Sequence, residues 1–134
     1  MVKLMVLAAA ASVGALPLAE LPPQPLATGQ CAMFLWDRPS GKRIAMITAA
    51  PLGQITVIHG GRSISLPASS AEGPAVMGFA PRSQYRSASI GISLDLAIAP
   101  TGTGGAIIRD GALTLTEADG SAIVAPVAGL IGCQ

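Results

Sequence analysis

The chain has 134 residues, of which 51% are hydrophobic and 11% are charged, and this composition excludes an intrinsically disordered protein. Eight lysines and arginines nearly balance seven aspartates and glutamates, so no basic field favours nucleic acid or an anionic membrane surface. Aromatic residues make up 3% of the chain, and a folded core must therefore be aliphatic.

Residues 1–19 have the pattern of a secretory signal peptide. Lys3 supplies a positive start, and an apolar run, in which Ser12 is the one polar residue, follows from residue 4 to residue 15. Pro17 and Glu20 interrupt this run before it reaches the roughly 20 apolar residues that a membrane-spanning helix needs. We therefore expect a periplasmic or secreted protein with no stable membrane insertion after the leader is cleaved.

Two peptide bonds are candidates for that cleavage. A cut after Ala15 places Val13 and Ala15 at the two positions that the peptidase recognises. A cut after Ala19 places Pro17 at one of these positions, which is unfavourable. We expect the mature amino terminus between residues 16 and 20.

The rest of the chain divides into a spacer and one domain. Residues 20–30 carry three prolines and predict an extended spacer without a core of its own. Residues 31–134 are enough for a single domain but not for two. Because the leader contains Lys3 and no acidic residue, the mature chain has no net charge.

Apolar residues in short runs predict the first strands of the domain. Residues 31–36 are apolar on both faces, which is typical of a strand covered on both sides. A turn at residues 38–41 leads into a second strand, "RIAMITAA". "QITVIHGGRSISLP" predicts a hairpin, because the Gly60-Gly61 pair supplies the positive φ angles of a tight turn.

Strict alternation continues in the second half of the chain. "SIGISLDLAIAP", residues 89–100, places its aliphatic side chains on one face. "ALTLTEADGSAIVAPV" predicts another hairpin that turns at Asp119-Gly120, with an edge or a bulge at Pro126. The main loops are expected at residues 51–53, 68–74 and 100–105.

The fold class follows from this pattern. About seven to nine short strands separated by glycine and proline turns, with no helical stripe outside the leader, predict an all-β domain. A small antiparallel sandwich and a closed barrel both fit. An outer-membrane barrel does not, because four aromatic residues cannot form two girdles and most strands are too short.

The two cysteines lie at opposite ends of the domain. An even number of cysteines in a small exported protein predicts a disulfide, here between Cys31 and Cys133. Redox motifs usually hold their cysteines two residues apart, and metal sites need further Cys or His ligands. We therefore expect a structural bridge that ties down both ends of the domain.

Few residues suggest chemistry. His59 is the only histidine and lies beside the Gly60-Gly61 turn without a nucleophile motif such as G-x-S-x-G. "TGTGG" lacks the Lys and the following helix of a phosphate loop, and Glu117 and Asp119 belong to a turn. We predict no catalytic, cofactor or metal site and no enzymatic activity.

A candidate interface lies in "GFAPRSQYRS". Phe79, Arg82, Tyr85 and Arg86 are of the residue types enriched at protein interfaces, and the stretch is predicted to be an irregular loop on a rigid scaffold. The sequence therefore predicts a binding or accessory module whose partner is an unidentified protein of the cell envelope or exterior. The alternative is a structural subunit that assembles through strand edges.

One resemblance adds a further alternative. A leader, a short β domain and one disulfide are similar in format to the periplasmic lysozyme inhibitors, and "SSAEGPAVMGF" partly matches their Ser-Gly-x-x-Tyr loop but lacks its tyrosine. The resemblance implies an inhibitor-like function and assigns no site residue.

Overall fold

The computed structural model describes residues 12–13, 16–49 and 53–134. Within them the secondary structure consists of strands and turns, without a helix. The strands are β1 (Ser12–Val13), β2 (Leu18–Ala19), β3 (Cys31–Asp37), β4 (Arg43–Thr48), β5 (Gln54–His59), β6 (Arg62–Glu72), β7 (Arg82–Arg86), β8 (Ile90–Pro100), β9 (Ala106–Glu117) and β10 (Ala122–Cys133).

Strands β3 to β10 form a closed antiparallel barrel. Each pairs with the next along the chain, and β10 returns to pair with β3 from Val127↔Asp37 to Cys133↔Cys31. The all-β prediction is confirmed, and the β10–β3 ladder makes the domain a barrel rather than a sandwich. The short strand β1 adds to β10 in parallel, and β2 adds to β5.

Aliphatic side chains fill the barrel, as expected of eight strands, which leave an interior just wide enough for side chains. Every second residue of β8 is buried from Ile90 to Leu96, and β9 alternates in the same way on either side of its irregularity. In β5 three successive residues, Ile55 to Val57, are buried. The largest fully buried side chains come from β3 to β6, β8 and β9, together with one residue ahead of the barrel: Leu21, Met33, Leu35, Ile47, Ile55, Val57, Leu66, Ile92, Leu94, Ile108, Leu113 and Leu115.

Four turns gather at one end of the barrel, which we call the mouth. They lie at residues 38–42, 60–61, 87–89 and 118–121. Gly60 and Gly61 have φ angles of 62° and 79°, and a type I′ turn requires a positive φ at both of its central residues. The predicted hairpin is confirmed. The opposite end, which we call the base, carries the other connections and the start of β3.

Strands β6 and β7 differ from the prediction. Residues 68–72 were expected in a loop, but β6 runs through Pro67 to Glu72 with a register shift between Ala68 and Ser70. Pro67 has no amide proton to donate. The Gly53 carbonyl instead accepts from the amide of the next residue, Ala68, so the strand continues through the proline. Residues 82–86, expected to be irregular, form β7, whose outward positions are polar.

An irregularity in β9 anchors the turn between β3 and β4. Pairing shifts by one residue near Arg109 and Asp110 on both neighbouring strands, so β9 carries an extra residue there. Arg38 reaches this bulge and donates to the Arg109 carbonyl at 3.2 Å and to the Asp110 carboxylate at 3.0 Å. Pro126 lies where the β10–β3 ladder ends, and its carbonyl accepts from the Arg38 amide.

The chain ahead of the barrel is only partly described. Residues 1–11, 14–15 and 50–52 lie outside the described residues, and the predicted leader and the 51–53 loop fall partly on them. Leu21, in the predicted spacer, is 1% exposed, so this part of the spacer contributes to the core. No helix in the described ranges is long and apolar enough to span a bilayer.

Candidate functional surface

The predicted disulfide is confirmed at the base of the barrel. Cys31 opens β3 and Cys133 closes β10, and the two residues are directly opposite each other with Cα atoms 4.0 Å apart. Beyond the bridge, the Gln134 amide donates to the Gln30 carbonyl and the Gly29 amide donates to the Gln134 carbonyl, both at 2.9 Å. The bridge thus joins the first and last strands of the ring and has a structural position.

The two aromatic residues of the predicted interface lie in the core. Tyr85 alternates inward on β7 with Ser83, and burial raises the pKa of its hydroxyl while a hydrogen bond with Ser83 opposes this shift. Phe79 is 3% exposed and forms a tight turn with Val76, in which each amide donates to the other residue's carbonyl at 2.9 Å. Both rings are therefore inaccessible to a partner in this conformation.

The two arginines of the same group face outward. Arg82, Gln84 and Arg86 alternate on the outer face of β7, and all three are exposed. The Arg82 Nε lies 3.7 Å from a Glu72 carboxylate oxygen, and Asp95 is its register partner on β8. Arg86 makes no ion pair among the described residues, and its register partner is Gly91.

Arg86 borders a depression of about 330 Å³ beside the mouth. The depression is lined by residues 84–93 and 116–118. Gly91 has no side chain to fill its floor, and an added Cβ there would meet only the Tyr85 carbonyl, at 3.8 Å. The walls offer hydroxyl groups from Ser93 and Thr116, so the site can donate and accept hydrogen bonds beside one guanidinium group.

A second depression of about 170 Å³ adjoins the first and shares Gln84 and Ser93 with it. Together the outward residues of β6 to β9 form a continuous surface that we call the polar band. Its members are Ser70, Glu72, Arg82, Gln84, Arg86, Ser93, Asp95 and Thr116. Because β7 is hydrogen-bonded on both sides, the band lies on a rigid part of the sheet.

His59 does not lie free beside its turn. Its Nε2 is 3.2 Å from one Glu117 carboxylate oxygen and 3.3 Å from the other, with the two side chains 24% and 31% exposed. Both residues continue the inward-facing positions of their strands, so the pair spans the mouth between β5 and β9. In the described part of the chain, His59 has no hydrogen bond to a serine, threonine or cysteine.

The remaining titratable groups are scattered. Among the described residues, no three His, Cys, Asp or Glu side chains are placed to hold a metal ion together. Asp119 caps its own turn, accepting from the Ser121 hydroxyl at 2.7 Å and from the Ser121 amide at 2.9 Å. Comparison of the chain with protein-family models, curated proteins and solved structures finds no match.

Proposed function

We propose that the protein is an exported, non-enzymatic binding module that recognises a protein of the cell envelope or exterior through the polar band. Arg86 carries the recognition by pairing with a carboxylate of the partner, which also hydrogen-bonds to the hydroxyl groups around the depression. Export, the binding role and the partner all belong to this proposal. The disulfide is consistent with an oxidising compartment.

The guanidinium of Arg86, which has no ion-pair partner among the described residues, is the observation that supports the proposal best. Arginine, with tryptophan and tyrosine, is enriched among the few residues that supply most of the binding energy at protein interfaces. Arg82, four residues earlier on the same face, has Glu72 as its own carboxylate partner. Arg86 lacks such a partner within the described residues, so its charge is available to another molecule.

The geometry gives less support to the two alternatives. Assembly through strand edges needs an unpaired edge, and the ladder from β3 round to β10 closes on itself. The segment that resembles the loop of periplasmic lysozyme inhibitors is divided between the end of β6 and the turn at residues 76–79. Its aromatic residue, Phe79, is buried in the core.

Affinity capture from an envelope extract tests the proposal. The bait is the exported protein, compared with Arg86→Glu and with Arg62→Glu, a matched charge reversal at an exposed arginine away from the polar band. We expect a partner that the wild type and the Arg62 variant retain and the Arg86 variant loses. Because salt screens exposed charge pairs, the amount of partner retained should also fall as the salt concentration is raised from about 50 to about 500 mM.

Two outcomes would contradict the proposal. Equal capture by both variants would remove Arg86 from the interface, and capture by neither variant would indicate a general charge effect. Circular dichroism of each variant confirms that the strand content is unchanged, so that a loss of binding is not a loss of fold.

A further inference from the structure

A gap in the barrel wall lies between β4 and β5 near the mouth. The two strands pair only from Met46↔Thr56 to Thr48↔Gln54. Beyond these pairs β5 continues to His59, and β4 extends back to Arg43, without bonding to each other. Their facing backbone groups would have no partner if nothing occupied the space between them.

Residues 16–21 occupy that gap, and we call them the wall segment. Leu18 and Ala19 form β2, which pairs antiparallel with β5 at His59 and Ile58. The Leu21 amide then donates to the Arg43 carbonyl at 2.7 Å, and the Arg43 Nη2 donates back to the Leu21 carbonyl at 3.3 Å. The wall segment therefore bonds to one strand on each side of the gap.

The wall segment also contributes side chains to the core. Leu21 is 1% exposed and Leu18 is 9% exposed, whereas Ala19 between them faces solvent. Leu18 is opposite the inward-facing His59, and Leu16 packs against the core cluster. Removing these residues would leave both a hole in the core and unpaired backbone in the wall.

We infer that the leader is removed by hydrolysis of the Ala15–Leu16 peptide bond, so that the mature chain begins with the wall segment intact. The inference rests on the proposed export. One water molecule is consumed, Ala15 leaves with a new carboxylate, and Leu16 retains a new amino group. The sequence allows a second cut, after Ala19, but that cut would remove Leu18 and the whole of β2.

The cut after Ala15 costs the barrel no strand of its ring. It removes β1, which pairs with β10 at Ile123 and Val124. Those two residues keep their antiparallel ladder to Leu115 and Thr114 of β9. The cut therefore falls between β1, which the ring of eight strands does not need, and β2, which fills the gap in its wall.

Amino-terminal sequencing of the exported protein tests the position of the cut. We expect a chain that begins at Leu16. A chain that begins at Glu20 would overturn the inference and leave the proposed export untouched. A cytoplasmic chain that still carries Met1 would overturn the export itself and the inference with it.

Purified chains test the role of the wall segment independently of export. A chain that begins at Leu16 should melt higher than one that begins at Glu20, by on the order of 10 °C, because the shorter chain loses a core leucine and a strand pairing. Within the longer chain, Leu18→Ala should lower the melting temperature, and Ala19→Ser, at the exposed neighbour, should leave it unchanged. Equal melting of the two chains would show that the wall segment is not part of the fold.

Discussion

Nε2 of His59 lies 3.2 Å from a carboxylate oxygen of Glu117, and this pair connects two strands that are separated by three others in either direction around the barrel. The residues are 58 apart in sequence. Neither side chain is more than about a third exposed, so the pair is shielded from solvent more than an ordinary surface ion pair.

We expect Glu117→Gln to lower the free energy of unfolding by about 0.5–1.5 kcal/mol, the usual range for one partly buried hydrogen-bonded pair. Urea unfolding at neutral pH provides the measurement. The matched control is Glu72→Gln, which removes a pair whose side chains are 55% and 72% exposed and should change stability by less than about 0.5 kcal/mol. Equal effects of the two substitutions would show that the pair across the mouth contributes nothing beyond surface charge.

The disulfide should stabilise the barrel without determining its strand content. Reduction of Cys31–Cys133, or replacement of both cysteines with serine, should lower stability by about 2–4 kcal/mol, because the bridge closes a long loop in the unfolded chain. Far-ultraviolet circular dichroism should still show the β signal, since the β10–β3 ladder and the aliphatic core remain.

A thiol assay on denatured, unreduced protein is the direct measurement of the bridge. No reactive thiol is expected per chain. Two free thiols would refute the bridge, and a covalent dimer on an unreduced gel would show that the cysteines connect two chains instead.

The alternation in β8 predicts opposite tolerances at neighbouring positions. Leu94 is 1% exposed and Ser93 faces outward, where it lines both depressions. Leu94→Asp should unfold the domain because it buries an unpaired charge, whereas Ser93→Asp should cost less than about 1 kcal/mol. Thermal melts compare the two variants, and similar melting temperatures would contradict the inward direction of Leu94.

Local patterns predicted the elements that depend on neighbouring residues. The Gly60-Gly61 hairpin and the alternation of β8 needed only turn chemistry and a period of two. β7 was missed because its inward positions include Ser83, a polar residue, so that its alternation does not separate apolar from polar. β6 was predicted too short because a proline such as Pro67 normally ends a strand. No local signal shows that the Gly53 carbonyl accepts from the amide of the next residue and so continues the ladder.

Contacts between distant parts of the chain were harder to predict. The closing ladder between β10 and β3 was indicated only by the spacing of Cys31 and Cys133, which could not distinguish a barrel from two facing sheets. In the candidate interface, residue type selected Phe79 and Tyr85, but aromatic side chains are enriched both at interfaces and in cores. Arg82 and Arg86 of the same group are exposed on β7. The wall segment has no sequence signal that separates it from a leader and a spacer.

Tyr85 should titrate above the ordinary tyrosine value of 10.0, because burial disfavours its charged phenolate. It is the only tyrosine of the chain, so an absorbance titration of the phenolate in the folded protein reports this residue alone. Since the hydrogen bond with Ser83 lowers the pKa, Ser83→Ala should raise it further. The urea-denatured chain is the control and should titrate at about 10.

The same shift predicts a loss of stability at alkaline pH. The folded state holds the Tyr85 proton more tightly than the unfolded state does, and this difference stabilises the fold. The contribution is complete below pH 10.0, and it declines as the pH rises from there towards the raised pKa of the folded protein. Tyr85→Phe has no ionisable hydroxyl and should lose less stability than the wild type between neutral pH and that window. If the free energy of unfolding falls equally in both proteins over this pH range, the alkaline loss of stability belongs to other groups, and the buried position of the Tyr85 hydroxyl is wrong.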